Sequence, residues 1–240
     1  PAPLSAKEKN VAEQSIAILK MSQVSEREIY PLSHGQVLAS LRPGVWAISW
    51  VRDAAYAIEA MSKIGMQEEA KKALLFMLKA APTSQYEQYI HTDGLDYGIG
   101  VPYQISVTRY FGNGREESDY SGVIGPNIEI DDFGLFLIAF CHYIMDSNDR
   151  DFYNTWQSVI HEKVALPIMH NLTKDHILRR DSGPWEHHLP GKQFVFTNAV
   201  CARGLQMLDD IDRKFGRPDP KIAESVQNML SGIDAQFLVE

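Results

Sequence analysis

Cysteine is scarce, basic charge is in the minority and no apolar run is long. Each shortage removes a class of protein. The only two cysteines, Cys141 and Cys201, sit inside apolar stretches, so no disulfide framework holds the chain and both read as small core side chains. Lys and Arg number 23 against 31 Asp and Glu, a net charge of −8 over 240 residues. With that balance, and with no Lys/Arg run interleaved with aromatics, nucleic acid is not expected as a partner. The longest unbroken apolar stretch, Gly134 to Phe140, is far too short to span a bilayer, so no membrane partner is expected either. No basic then apolar targeting pattern opens the sequence, which favours a cytoplasmic over a secreted location. The first residues, Pro-Ala-Pro-Leu-Ser, lack Met, and the helical pattern of Ile233, Phe237 and Leu238 runs up to Glu240 without a stop signal. Both ends read as cut.

What is present is helix, in two kinds. Residues 5–20, 67–80, 152–172 and 219–239 are amphipathic, each with one face for water. Residues 51–64, 133–145 and 194–208 are apolar nearly all round, as helices covered on every side would be. The two kinds alternate, which predicts a double layer of helical hairpins with one helix of each inside and one outside. An α/α toroid is the closed form of that arrangement. Its inner helices all point the same way, so their leading segments gather at one mouth. Those segments are Trp50-Val51-Arg52-Asp53, Ile128-Glu129-Ile130-Asp131-Asp132 and Gly183-Pro184-Trp185-Glu186-His187-His188, the densest charged and aromatic clusters in the chain. Three distant segments are therefore expected to meet.

Residues Pro82 to Pro126 are not helical. They hold Tyr86, Tyr89, Tyr97, Tyr103, Tyr110 and Tyr120, and an alternating piece, Tyr103, Ile105, Val107, leads to a Gly112-Asn113-Gly114 turn. A connection this long is usually functional, and it is expected over the same mouth. No low-complexity linker divides the chain, so residues 1–240 are taken as one domain with no second.

Several motifs fail on inspection. His161-Glu162 opens a zinc-helix pattern whose second ligand position is Ala165. Adjacent His187 and His188 point apart in most backbone conformations, and Gly98 and Gly100 lack both the third glycine and a strand-to-helix unit. Asn171-Leu172-Thr173 is a glycosylation pattern that arises often by chance. No metal and no cofactor are called for.

What remains suits sugar cleavage. That chemistry needs a protonated carboxyl beside the leaving oxygen, a second carboxylate across the ring, and polar groups and aromatic faces that hold the sugar. Glu186 follows Trp185, and an indole against a carboxyl disfavours its charged form. Arg52 and Asp53 pair a donor fork with an acceptor, suited to neighbouring hydroxyls, although an ion pair or a helix-start role serves equally. Asp131 and Asp132 divide between a helix N-terminus role and substrate contact. Trp46 and Trp50 are stacking platforms or core, with core the safer reading.

Together with Pro43-Gly44-Val45-Trp46, Trp50-Val51-Arg52-Asp53-Ala54-Ala55-Tyr56, Gly125-Pro126-Asn127-Ile128-Glu129-Ile130-Asp131 and Trp185-Glu186 followed by Phe194-Val195-Phe196-Thr197, the chain resembles the bacterial branch of glycoside hydrolase family 15, the glucoamylase family. The resemblance runs in order from about Ser33 to about Leu208 and also takes in His-Gly-Gln-Val-Leu-Ala-Ser at 34–40. It implies an all-α (α/α)6 toroid, inversion at the anomeric carbon, and release of glucose from the non-reducing end of an α-glucan or oligosaccharide. It also implies Glu186 as general acid, Arg52 and Asp53 as the pair that holds the terminal sugar, and Trp185 as the indole beside the acid. Trp50 and Asp131 join them as substrate-binding candidates. Some members carry Asp three residues before the acid, where this chain has Gly183. The family's general base lies near the end of the toroid, past Glu240.

About seven helices against the twelve of a full ring make this roughly half a toroid. Its exposed apolar flanks would then need the missing half, or another chain, as a covering partner. Two alternatives stay open on the sequence: a non-catalytic carbohydrate-sensing module on the same toroid, and a phosphorylase, for which Arg179, Arg180 and Lys192 offer a weak phosphate hint.

Overall fold

A computed structural model describes residues 3–80, 83–118 and 124–238; Pro82, Tyr120 and Glu240 fall outside them. The chain is mainly helical. Helix α1 (Ala6–Ser22) starts at a reciprocal cap in which Glu8 N–H donates to Ser5 Oγ and Ser5 N–H to the Glu8 carboxylate. Then come α2 (Val51–Lys63), α3 (Gln67–Lys79) and α4 (Asp131–Ser147), the last closed by Asn148 at φ +54°. Residues 150–170 form one outer rod of α5 (Arg150–Ile160), a π-helical turn (His161–Ala165) and α6 (Leu166–His170). Pro167 has no N–H for the Lys163 carbonyl, and that carbonyl instead accepts from the Gln104 N–H at 3.0 Å. Helix α7 (Val195–Lys214) and α8 (Pro220–Phe237) complete the set, α8 starting with Pro after an Asp219 cap.

The layers follow the expected order. Helix α4 packs between α2 and α7, while α3 backs α2 and α8 backs α7. Phe133, Leu135, Leu137, Phe140, Cys141 and Tyr143 of α4, which point to different sides, are all buried, so this helix is covered nearly all round until the exposed Met145 near its end. The other two inner helices are not. Helix α2 exposes Asp53 and Tyr56, and α7 exposes Val195, Ala199, Arg203, Gln206, Asp210 and Arg213 along one stripe. The physical reason is position: α4 has an inner neighbour on each side, and α2 and α7 have one each. The open flank of α7 is mainly polar, contrary to the apolar flank expected. Helix α1 differs too, since Ser22 is its only buried residue and Val11, Ile18 and Met21 face out.

Helices α4 and α7 touch backbone to backbone through glycine. A Cβ on Gly134 would lie 2.7 Å from both the N and the Cα of Cys201, and one on Gly204 would lie 2.7 Å from the Gly134 carbonyl oxygen. Gly134→Ala must part the two helices, and it is expected to destabilise the chain by about 1–3 kcal/mol in urea unfolding. Unchanged stability would contradict this packing.

The long connection supplies two of the three regular strands among the described residues. Strands β1 (Ser49–Trp50), β2 (Arg109–Tyr110) and β3 (Glu116–Glu117) form an antiparallel sheet in that order, Trp50 opposite Arg109 and Arg109 opposite Glu117. The Gly112-Asn113-Gly114 turn joins β2 to β3, as the sequence suggested. The alternation at 103–107 does not become a strand: Tyr103, Ile105, Ser106 and Val107 are all buried in irregular chain. Strand β1 runs directly into α2, and the Val51 N–H donates to the Thr108 carbonyl at 3.0 Å. The sheet thus fixes where Arg52 starts.

Candidate active site

Three segments distant in sequence meet at the leading ends of α2, α4 and α7. Residues 127–129 lead into the turn at Ile130 that starts α4, with Ile128 and Ile130 in the hydrophobic core and Asn127, Glu129 and Asp131 as the alternate, polar positions. Backbone bonds tie this segment on two sides. Glu129 N–H donates to the Val107 carbonyl at 3.0 Å, Ile128 N–H to Ser182 Oγ at 2.9 Å, and Ile130 N–H to Asp181 Oδ2 at 2.9 Å. The 181–192 loop is closed at its neck by paired bonds between Asp181 and Lys192. At its tip, the turn from Gly183 to Glu186 presents the candidate acid.

Glu186 has φ +49°, a left-handed conformation uncommon for a residue with a side chain. Its Oε2 accepts from Asn127 Nδ2 at 3.3 Å, and its Oε1 lies 3.7 Å from Arg52 Nη2. The other guanidinium nitrogen, Nη1, donates to Glu129 Oε2 at 2.6 Å and to Asp131 Oδ2 at 3.3 Å. Arg52 thus bridges the buried carboxyl block and the acid. Glu186, Asp53, Trp50, Trp46 and Ala39 line one pocket of about 350 Å³. Of the sequence candidates, Glu186, Arg52, Asp53 and Trp50 come together here.

Two candidates sit differently. Trp185 is 77% exposed and is not in the pocket lining. Asp131 is fully buried behind Arg52. Trp50 is nearly buried, with the Arg109 guanidinium 5.1 Å from its ring, while Trp46 is 61% exposed and offers a free face. Gly183, where some relatives carry Asp, has φ +56°, and a Cβ there would lie 2.3 Å from the Phe194 ring; only glycine fits.

Glu129 and Asn127 had been assigned no role from the sequence. The polar residues at 127, 129 and 131 at period two, between buried isoleucines, are the signal that points to them. Glu129, Asp131 and Asp132 place carboxylate atoms within 4.8 Å of one another, a spacing able to hold a cation. Arg52 already bonds two of the three, so the guanidinium takes that place. Asn171 of the glycosylation pattern is buried and donates to the Ile99 and Pro167 carbonyls, leaving no free amide for a glycan.

The block has strong electrostatics. Burial pushes Asp131 up to about 6 against the pull of Arg52, and Glu129, Asp132 and Asp181 well above the usual carboxylate range. Neither carboxyl oxygen of Asp132 has a hydrogen-bond partner among the described residues, consistent with a neutral group. Glu116, under the sheet, is pushed by burial to about 6. Burial lowers His161, and Asp212 at 3.0 Å with Asp219 at 3.7 Å more than reverses it. All these groups are raised, so the folded chain holds protons that the unfolded chain has released. The contribution of Asp131 and Glu116 is complete below about pH 4 and fades as pH rises through about 6, that of Glu129, Asp132 and Asp181 is lost in the same direction, and that of His161 is complete below about 6.5 and fades above it. The melting temperature is therefore expected to fall steadily from pH 5 to pH 8. A flat or rising profile in calorimetry would contradict these assignments.

The family model described as glycosyl hydrolases family 15 matches residues 19–237. The chain belongs to this family. Solved structures similar to it include a glucoamylase from Saccharomycopsis fibuligera, 14% identical with a TM-score of 0.67, covering 96% of this chain and 50% of that one. A glycosidase variant in complex with glucose is 18% identical with a TM-score of 0.66, covering 99% of this chain and 60% of that one. No curated protein sequence matches. At these identities the structural likeness establishes the fold alone, an all-α toroid fragment, and the family 15 chain spans 50–60% of the length of those two structures.

Proposed function

We propose that this chain is the acid-bearing part of an inverting, glucoamylase-like glycosidase that releases glucose from the non-reducing end of α-linked glucans or oligosaccharides. The observation that carries the reading is the pocket that Glu186 and Asp53 line together, with Arg52 Nη2 3.7 Å from Glu186 Oε1. Asp53 accepts from sugar hydroxyls and Arg52 donates to them, so the terminal ring is pinned with its glycosidic oxygen toward Glu186. Glu129 and Asp131 position Arg52; their bonds leave Nη2 directed toward Glu186. Asn127 and Arg52 orient the acid, and Trp46 covers an apolar sugar face.

In the reaction the Glu186 proton passes to the glycosidic oxygen as the bond from that oxygen to the anomeric carbon breaks. A water attacks the carbon from the opposite face and loses its proton to a second carboxylate. That carboxylate is assigned to the part of the toroid beyond Glu240, so the 240 residues alone are expected to bind sugar and not to hydrolyse it.

The test is glucose release by the enzyme carrying this chain from maltooligosaccharides, isomaltooligosaccharides and trehalose. Turnover of at least one supports the reading. Sugar binding without turnover of any, abolished by Arg52→Ala, would replace it with a sensing module.

A further inference from the structure

A second cavity lies apart from Glu186, on the outer side of α3. At about 560 Å³ it is larger than the pocket at the mouth and within the range of small-molecule sites. One face of α3 makes its floor: Glu68, Lys71, Lys72, Leu75, Phe76 and Lys79 fall at helical spacing. Arg27, Leu32 and His34 face them, and the Asn113–Gly114 turn forms a third side. These walls are fixed against one another. Gln23 Nε2 donates to the Glu69 carbonyl at 2.8 Å, and a Cβ on Gly35 would lie 2.2 Å from the Lys72 carbonyl oxygen.

The charge of this cavity is opposite to that of the chain. Lys71 is held by Asp149 at 2.6 Å. Arg27, Lys72 and Lys79 have no acidic partner among the described residues, and Glu68 is the one acid in the lining. Three unneutralised cations thus share one cleft in a protein of net charge −8, and a cleft concentrates their field on whatever enters. Beside them Leu75, Phe76 and Leu32 give an apolar wall. A monocarboxylate would leave that charge largely unmatched; a phosphate monoester carries nearly two charges and several strong acceptors.

We infer that this cavity binds a small phosphate monoester of sugar size, with Arg27, Lys72 and Lys79 on the phosphate and the apolar wall against the ring. The inference is independent of the reaction proposed at the mouth. Calorimetric titration of the 240-residue chain with glucose 6-phosphate, inorganic phosphate and glucose tests it, with Lys72→Gln and the exposed Lys79→Gln as variants. The expected result is saturable one-site binding of glucose 6-phosphate, tighter than inorganic phosphate, not displaced by glucose, and weakened about tenfold in either variant. No saturable binding of either phosphate, or an affinity unchanged from the parent chain in both variants, would overturn it. So would loss of the binding in Arg52→Ala, which would place the ligand at the mouth, or binding of phosphatidic acid vesicles that glucose 6-phosphate does not displace.

Discussion

In the complete enzyme, Glu186→Gln lowers hydrolysis by about a hundred to ten thousand-fold while sugar affinity stays within a few-fold of the parent. The amide keeps the shape and can still bond Asn127, but it has no proton to give the leaving oxygen. The backbone supplies a companion expectation. Glu186 sits at φ +49°, so Glu186→Gly removes a conformational penalty of about 1 kcal/mol or more and is expected to raise the melting temperature while abolishing turnover. A residue whose removal gains stability and loses activity is one kept for chemistry. If Glu186→Gln hydrolysed at the parental rate, the acid would have to be sought elsewhere. If Glu186→Gly lowered stability, the left-handed turn would not be a source of strain.

Arg52→Met is expected to be the most damaging single change at the mouth. Among the described residues Arg52 is the one cation bonded to Glu129 and Asp131, both fully buried, and Asp132 lies in the same carboxylate cluster. Removing it leaves buried Asp131, ionised above about pH 6, without its counter-charge and strips Glu129 of its hydrogen-bond donor, which together cost about 3–5 kcal/mol at pH 7. The loss is expected to shrink as pH falls through about 6, where Asp131 takes up its proton. Asp131→Asn in the Arg52→Met background should recover part of it. A pH-independent loss, or no recovery in the double variant, would show that Arg52 acts by packing rather than by charge. Arg52→Lys separates position from charge: it keeps the cation but not the fork that reaches Glu129, Asp131 and Glu186 together, so affinity for sugar is expected to drop more than stability.

The layered order of the helices was legible in the sequence because an inner and an outer helix differ in how much of their circumference is apolar. That signal is averaged over many residues. It misleads where it is local: the apolar composition of α2 and α7 predicts cover all round, yet each has an inner neighbour on one side only, and α1 forms its helix while leaving Val11, Ile18 and Met21 in solvent. The meeting of the three mouth segments was legible from the common direction of the inner helices, and Glu186, Arg52 and Asp53 do share one place. The support beneath them was not. Glu129 is as buried as Ile128 beside it, and no propensity distinguishes a buried acid held by an arginine 77 positions away from one on a surface; only the alternation of Asn127, Glu129 and Asp131 hints at it. Trp185 shows the opposite failure. Adjacency to Glu186 suggested an indole against the carboxyl, whereas the ring is largely in solvent.

The central claim is that Glu186 works on the leaving oxygen while water enters from the far side of the sugar. Proton NMR of the product in the first minutes of hydrolysis of an α-linked oligosaccharide by the complete enzyme tests it most directly, before mutarotation mixes the anomers. β-Glucose as the fresh product, lost in Glu186→Gln, is the result this account predicts. α-Glucose would contradict it, because it would require a covalent intermediate and a second carboxylate close to the first.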